Sequence, residues 1–186
     1  MITVYGRFGS IIVVIGLWIL VYFGAQRLGK SRARVVQPSR LDRRVPVWEW
    51  SIVVYSLAYL YPFVLLWFVP DDAIDVAVRC YALLVLCAGV FYVLFPTEIL
   101  RIREPRSPLL AALYWLDKTT NCIPSLHSAS ALLTTCFLAQ YRPAYLPIGL
   151  LGTLAISASS ICVRQHYLLD VLSGYILSIA VYVVVR

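Results

Sequence analysis

Long apolar runs separated by short polar connections set the pattern of this chain. A helix that crosses a bilayer needs about 20 consecutive, mostly apolar residues, and six runs approach that length. They cover roughly residues 8–26, 48–69, 74–96, 124–140, 144–162 and 166–185. The pattern predicts an all-α integral membrane protein, a six-helix bundle that forms a single domain over residues 1–186.

The connections add one short helix and two proline positions. Residues Pro108 to Trp115 are apolar but too few to span a bilayer, and Asp117-Lys118 follows them. This favours a helix that lies at the membrane interface before the fourth span. Pro62 is expected to bend the second span. Pro124 suits the first turn of the fourth helix, with Thr120 or Asn121 as its cap.

Composition agrees with a membrane protein. Of the 186 residues 61% are hydrophobic and only 13% are charged, whereas soluble domains have about 25% charged residues. In a soluble protein the formal net charge of +7 would suggest a nucleic-acid partner. Here most basic residues fall in short loops between apolar runs, so the charge reports membrane topology, and no nucleic-acid partner is expected.

The two histidines each lie in a polar stretch where an apolar run begins. His127 ends the stretch from Asn121, and His166 lies between Arg164 and Asp170. If the segment after Arg164 is helical, His166 and Asp170 lie one turn apart on one face. The carboxylate can then hold one ring nitrogen and leave the other free to react.

The order of the spans brings the polar clusters to one side of the membrane. The end of the third span, the start of the fourth and the junction of the fifth and sixth all face that side. The residues that would then surround one pocket are Arg101, Arg103, Ser125, His127, Arg164, His166 and Asp170. Guanidinium groups and helix N-termini favour phosphate, and two histidines supply a nucleophile and a proton donor. The pattern predicts phosphoryl chemistry.

Two motifs in this pocket resemble those of a known family. Pro-Ser-Leu-His at 124–127 and Arg-Gln-His-Tyr-Leu-Leu-Asp at 164–170 are similar to the second and third signature motifs of the phosphatidic acid phosphatase type 2 superfamily. The leucine in the first of them is closer to the branch of inositol phosphorylceramide synthase-like proteins than to the branch with Pro-Ser-Gly-His. The resemblance covers roughly residues 95–175.

The resemblance implies an enzyme that works without a metal or another cofactor. In its reaction His166 attacks phosphorus to give a phosphohistidine, Asp170 orients that ring, and His127 protonates the leaving alcohol. Arg164 and the Ser125 hydroxyl would bind phosphate oxygens and stabilise the charge that builds in the transition state. Water, or another alcohol, would then attack the phosphohistidine with His127 as base.

The chain departs from the family pattern at two points. The family's first motif has a lysine followed seven residues later by Arg-Pro, and neither Arg101 nor Arg103 has that lysine or that proline, so both are candidates by position. The third motif's early arginine, six residues before its histidine, is Ser160 here, and Arg164 would take a phosphate-binding role instead. These departures leave transfer to an alcohol open beside hydrolysis.

Three functions remain in view. The first is hydrolysis of a membrane lipid phosphomonoester or pyrophosphate, and the second is transfer of a phosphoalcohol headgroup to a lipid alcohol such as a ceramide. The third is a non-catalytic lipid-binding protein, which the complete set His127, His166 and Asp170 disfavours. The same three side chains are of the types that bind metals, but the neighbouring arginines would repel a cation. Ser125 is equally well explained as a cap of the fourth helix.

Charge also bears on orientation in the membrane. The loop 27–48 has seven basic residues and one acidic residue, Asp42, which is typical of a solvated or headgroup-bound loop. Most of the 16 basic residues lie on the active-site side, so the positive-inside rule makes that face cytoplasmic. The family's usual arrangement is the opposite. We expect a multi-pass protein of the cell membrane, with the active-site face cytoplasmic by charge bias and extracytoplasmic by family habit.

Overall fold

The computed structural model describes residues 4–102 and 104–186, with side chains from residue 9 onward. Helices dominate this part of the chain, joined by short 3-10 turns and one pair of strands. The α-helices are α1 (Val4–Gly29), α2 (Ile52–Ser56), α3 (Leu65–Phe68), α4 (Asp71–Leu94), α5 (Pro108–Leu116), α6 (Leu126–Tyr141), α7 (Leu146–Cys162) and α8 (Leu168–Val185).

Four helical segments of the described chain are long and apolar enough to cross a membrane: Gly9–Arg32, Asp71–Leu94, Pro143–Cys162 and Leu168–Val185. A fifth is a broken pair, Glu49–Tyr59 and Tyr61–Phe68, bent by 43°. Pro62 lies just after the break, where its ring cannot accommodate a continuous helix. The all-α, multi-pass architecture is therefore confirmed. The six-span count stays a prediction, because α6 has only 16 residues.

The helix α6 lies inside the bundle. It packs against α7 and α8 along its length and also contacts α4. Most of its side chains are buried, including the first-turn residues Leu126, His127 and Ser128. A helix that contacts lipid needs about 20 residues to cross the hydrocarbon core. A helix surrounded by protein can be shorter, because neighbouring segments enclose its ends. It carries the first histidine into the interior of the protein.

Two strands, which the helical pattern did not predict, pair beside this bundle. The strand β1 (Arg34–Val36) runs parallel to β2 (Thr97–Ile99), with Arg34 opposite Thr97 and Val36 opposite Ile99. Both segments are short and rich in β-branched residues, which suit a strand. Ile99 is buried with Cys122 and Tyr167. The pair joins the loop 27–48, called the first loop below, to the segment after α4.

Helices α6 and α8 begin later than the sequence suggested. Ser125 is the N-cap of α6, and its hydroxyl accepts a hydrogen bond from the Ser128 amide. Pro124 therefore precedes the helix, and the predicted caps Thr120 and Asn121 are wrong. Tyr167 is the N-cap of α8, so His166 lies before that helix. The bounds of a helix follow its capping bonds, which apolar periodicity does not reveal.

The helix α5 occupies Pro108–Leu116, where the short apolar run predicted a helix. Ser107 caps it by accepting a hydrogen bond from the Leu110 amide. Leu110 is buried against Ile52 and Val163, so the helix is packed on the broken span and on the end of α7. Its position at the membrane interface stays a prediction.

Gly174 lets α8 approach the start of α6. A Cβ atom added there would lie 2.5 Å from the Ser125 carbonyl oxygen and 3.4 Å from the Ala129 nitrogen. Because both are backbone atoms, the contact is relieved only if the helices separate. We expect Gly174→Ala to cost about 1–3 kcal/mol of stability and to reduce activity. The melting temperature in detergent measures this effect.

Gly16→Ala is the matched control for this substitution. A Cβ atom at Gly16, in α1, meets nothing within 4 Å, and alanine favours a helix over glycine. Its melting temperature should match or exceed that of the wild type. An unchanged melting temperature for Gly174→Ala would contradict the close approach of α6 and α8.

Candidate active site

The two histidines and Asp170 form one chain of contacts. The Nδ1 atom of His166 lies 3.4 Å from Oδ2 of Asp170, and its Nε2 atom lies 3.4 Å from Nδ1 of His127. All three residues are buried. The carboxylate thus faces one nitrogen of His166, and the other nitrogen points to the second histidine.

The geometry that positions His166 differs from the predicted helical face. His166 lies in the turn between α7 and α8, where its amide and that of Gln165 both donate to the Ser160 carbonyl, at 3.2 and 2.9 Å. Arg164 has a positive φ of 55°, which turns the chain sharply after α7. Asp170 reaches back over the start of α8 and also accepts from the Tyr167 amide at 2.8 Å. The four-residue spacing brings Asp170 to His166 because the Asp170 carboxylate caps the start of α8, and not because both residues lie on one helical face.

Backbone contacts join the two histidine motifs directly. The Ser125 amide donates to the Asp170 carbonyl at 2.9 Å, and the Tyr92 hydroxyl donates to the Pro124 carbonyl at 2.6 Å. The Ser125 hydroxyl is fully buried and lies 3.2 Å from the Ser128 hydroxyl. Its observed contacts are those of a helix cap, while contact with a phosphate stays a prediction.

Two tyrosines of the broken span contact His127, and the sequence pattern did not indicate either of them as a site residue. The Tyr55 hydroxyl lies 2.9 Å from Nε2 of His127 and 3.3 Å from Nδ1. The Tyr59 ring meets the His127 ring edge-on, with centroids 5.2 Å apart. Four residues separate the tyrosines, which places both on one side of a helical turn. That spacing alone does not identify their partner.

Arg164 is held by the first loop. Its guanidinium donates to the carbonyls of Asp42 and Val45, each at 2.9 Å. The Asp42 carboxylate accepts from the amides of Leu168 and Ser39, each at 2.8 Å. Burial acts to raise the pKa of Asp42, but these hydrogen bonds and the Arg164 charge lower it below its ordinary value. This part of the predicted solvated loop is therefore packed on the site.

Arg101 reaches the same region from the segment after β2. Its guanidinium donates to the carbonyls of Asp117 and Lys118 and lies 4.5 Å from the centre of the Tyr114 ring. Its Nε atom is buried without a hydrogen-bond partner in the described chain. An unpaired buried donor is costly. Arg103 lies outside the described residues.

Asp117 is a buried carboxylate that the sequence suggested only as the polar end of α5. It accepts from the Tyr22 hydroxyl at 2.7 Å and from the Gln165 side-chain amide at 2.8 Å. Burial raises the pKa of Asp117, against the lowering effects of Tyr22 and the Arg101 charge. The carboxylate links α1 to the residue that precedes His166.

A basic cavity of about 220 Å³ lies beside the third motif. Three arginines from separate parts of the chain line it, together with Tyr167. They are Arg43, Arg101 and Arg164. Arginine from the first loop was not among the predicted site residues, because a loop rich in basic residues does not indicate which of them faces a cavity. Three guanidinium groups favour an anionic ligand.

An apolar cavity of about 370 Å³ lies on another side of His127. It is bounded by α1, the broken span, α4 and α6, and His127 and Ser130 are among its few polar lining residues. The apolar lining includes Ile15, Trp18, Pro62, Phe63, Leu66, Ala77 and Leu84. A cavity of this volume and character suits a hydrophobic ligand. His127 therefore borders an apolar cavity and contacts the second histidine.

A phosphoryl group fits between the two histidines only if the site opens. An attacking nitrogen has to lie about 3–3.5 Å from phosphorus, and a proton donor needs a further hydrogen bond to the leaving oxygen. The two facing nitrogens of His127 and His166 are only 3.4 Å apart. A phosphate that binds between them has to push the rings apart.

Comparison with known families shows a match over much of the chain. The family model described as the PAP2 superfamily matches residues 77–186 of 186. No curated protein and no solved structure gives a significant match. The matched region includes His127, His166 and Asp170, whereas Arg43 and Tyr55 precede it.

Proposed function

Because this chain belongs to the PAP2 superfamily, whose members are typically phosphatases or phosphotransferases, we propose that it is a membrane lipid phosphatase. Its substrate would be a lipid phosphomonoester or pyrophosphate, cleaved through a phosphohistidine intermediate. The observation that carries the proposal is the place of His127, which contacts His166 and also lines the apolar cavity.

The apolar cavity supports a lipid as the leaving group. In the proposed reaction His127 protonates the alcohol that leaves, so this alcohol has to be next to His127. The group attached to it would then extend into the cavity between α1, α4 and the broken span. A hydrocarbon tail is stabilised there by burial of its apolar surface.

The basic cavity supports a phosphate as the reacting group. Arg101 and Arg164 contribute to it as predicted candidates, and Arg43 adds a third guanidinium. Tyr167, which also lines this cavity, directly follows His166. Neither histidine is among the residues that line this cavity, but its guanidinium groups would neutralise the charge that develops on the oxygens of a phosphate that reached it. Ser125 would serve mainly as the cap of α6.

The proposed reaction runs in two steps. The Nε2 atom of His166 attacks phosphorus, the bond from phosphorus to the leaving oxygen breaks, and His127 gives a proton to that oxygen. The leaving group is the lipid alcohol for a phosphomonoester and the lipid phosphate, through its bridging oxygen, for a pyrophosphate. Asp170 faces Nδ1 of His166, which holds the reactive nitrogen toward phosphorus and stabilises the positive ring. In the second step the oxygen of a water molecule attacks the phosphorus of the phosphohistidine while His127 takes a proton from that water. The bond from phosphorus to His166 breaks, and inorganic phosphate leaves.

Transfer of a phosphoalcohol headgroup to a lipid alcohol is the second candidate. The same apolar cavity favours it, because a lipid alcohol could approach His127 from there and replace water in the second step. The Pro-Ser-Leu-His motif points in the same direction. Both reactions use the same residues and differ in the acceptor, and in the transfer reaction the phosphohistidine keeps the headgroup alcohol on its phosphorus.

Release of inorganic phosphate tests the proposal. The purified protein in detergent with EDTA would be given phosphatidic acid, phosphatidylglycerol phosphate, prenyl phosphates and prenyl pyrophosphates. We expect release from at least one lipid, and none from the same lipid with His166→Ala. Failure of every lipid to release phosphate would contradict the phosphatase. Transfer of a labelled headgroup to ceramide without phosphate release would instead support the second candidate.

A further inference from the structure

We infer that Tyr55 is a positioning residue for the proton donor His127. Its hydroxyl would accept a hydrogen bond from Nε2–H of His127 and so keep Nδ1 as the nitrogen that exchanges protons with the substrate. The inference rests on the proposed function for the identity of the reaction. It concerns a residue that lies outside the region matched by the family model, 77–186.

The contacts of Tyr55 support this assignment. The side chain is 0% exposed, and its ring packs in a cluster with Ile52, Leu110 and Val163. Its hydroxyl lies 2.9 Å from Nε2 of His127, within ordinary hydrogen-bond distance. A buried hydroxyl needs partners; the ring of His127 supplies one, and the side chains of Gln165 and Tyr59 also lie within its hydrogen-bonding reach. Apolar packing therefore holds the Tyr55 ring in place, and the Tyr55 hydroxyl orients the ring of His127 through their hydrogen bond.

The two histidines have equivalent arrangements. His166 has one nitrogen toward Asp170 and the other toward His127. The Tyr55 hydroxyl lies closer to Nε2 of His127, at 2.9 Å, than to Nδ1, at 3.3 Å, and Nδ1 also faces His166 at 3.4 Å. The nitrogen that faces the partner histidine is the one that would meet the substrate, and the remote nitrogen is held by a third side chain. This is the arrangement by which an orienting group selects a histidine tautomer.

The difference between the two orienting groups matches the two roles. A carboxylate stabilises a positively charged ring, which the nucleophile becomes when it bonds to phosphorus. A neutral hydroxyl stabilises that charge less, so His127 is free to lose its proton to the leaving oxygen and regain one from water. Tyr55 keeps its own proton throughout, and the single proton on Nδ1 of His127 moves in each half-reaction.

Nuclear magnetic resonance of the histidine rings tests the tautomer directly. The chain has only two histidines, so ¹⁵N-histidine labelling gives four ring-nitrogen signals, which His166→Ala assigns. We expect Tyr55→Phe to shift the two signals of His127 at constant pH and to leave those of His166 nearly unchanged. Unchanged His127 signals would overturn the inference.

Tyr61→Phe is the matched control for this measurement. Tyr61 belongs to the same broken span, but its hydroxyl bonds to Thr135 and to the Gly149 carbonyl. Loss of that hydroxyl also removes a partly buried hydrogen bond, without touching a histidine. If Tyr61→Phe shifted the His127 signals as much as Tyr55→Phe does, a general change in packing would explain both, and the inference would fail.

Leaving-group dependence tests the catalytic consequence. Dodecyl phosphate has an alkoxide leaving group that needs a proton. The leaving group of 4-nitrophenyl phosphate is 4-nitrophenolate, which leaves without one. We expect Tyr55→Phe to lower kcat/KM for dodecyl phosphate by about 10–100-fold and to change that for 4-nitrophenyl phosphate by less than threefold. Equal losses for both substrates would overturn the positioning role. If the wild type cleaved neither, the proposed function would fall, while the ring-nitrogen signals would still decide the tautomer.

Discussion

Replacement of His166 by alanine is expected to abolish phosphate release, with a loss on the order of 10⁶-fold in kcat, as for other nucleophiles of covalent catalysis. In the proposed reaction the residue supplies the nitrogen that bonds to phosphorus. His127, 3.4 Å away, is already required as the proton donor. Both half-reactions would therefore stop together.

The covalent intermediate gives this prediction a second measurement. Wild-type protein quenched during turnover of a ³²P-labelled lipid phosphate should retain label that is stable to base and labile to acid, as a phosphoramidate is. His166→Ala should retain none. His127→Gln keeps the nucleophile and should still become labelled by ³²P-labelled 4-nitrophenyl phosphate, because the 4-nitrophenolate that leaves needs no proton. Label on His166→Ala equal to that on wild type would refute the assignment of the nucleophile.

Substitution of Asp170 by asparagine is expected to lower kcat by about 10⁴-fold. This is the effect measured in a serine protease when the aspartate that orients its catalytic histidine is replaced by asparagine. Asp170 faces Nδ1 of His166 and accepts from the Tyr167 amide through the same oxygen, Oδ2. Asparagine retains an oxygen for the amide but loses the charge that stabilises the phosphohistidine ring. It also allows the wrong tautomer, with the proton on Nε2 of His166.

Comparison of two substitutions separates this effect from helix capping. Asp170→Asn should keep the melting temperature close to that of wild type, because the bond from Tyr167 to residue 170 persists. Asp170→Ala loses that bond and should be less stable by about 1 kcal/mol, with a similar loss of kcat. Near wild-type kcat in Asp170→Asn would contradict the role of the carboxylate.

The apolar pattern predicted most of the helices correctly. Periods of apolar residues locate segments that need burial or lipid, and the four clear spans and α5 all fall where such runs occur. The break after Tyr59 agrees with the bend expected at Pro62. The strands β1 and β2 were missed because three residues are too few to show a period.

The first loop, residues 27–48, was predicted only in part. Its seven basic residues are exposed, as expected for a solvated or headgroup-bound segment, whereas Asp42 is only 2% exposed and its carbonyl accepts from Arg164. The strand β1 places this loop beside the third motif. The partners of a loop lie far away in sequence, so local composition does not reveal them.

The sequence by itself determined the class of protein, the family resemblance and the pairing of His166 with Asp170, because these depend on composition and on short spacings. Tertiary structure decided what surrounds the histidines. Tyr55, Arg43 and Asp117 come from a broken span, a loop and the end of a short helix. They lie near the histidine motifs because α6 and α8 pack closely at Gly174 and the first loop packs against Arg164 and Leu168. Such contacts arise from packing between distant segments, which no pattern within one segment encodes.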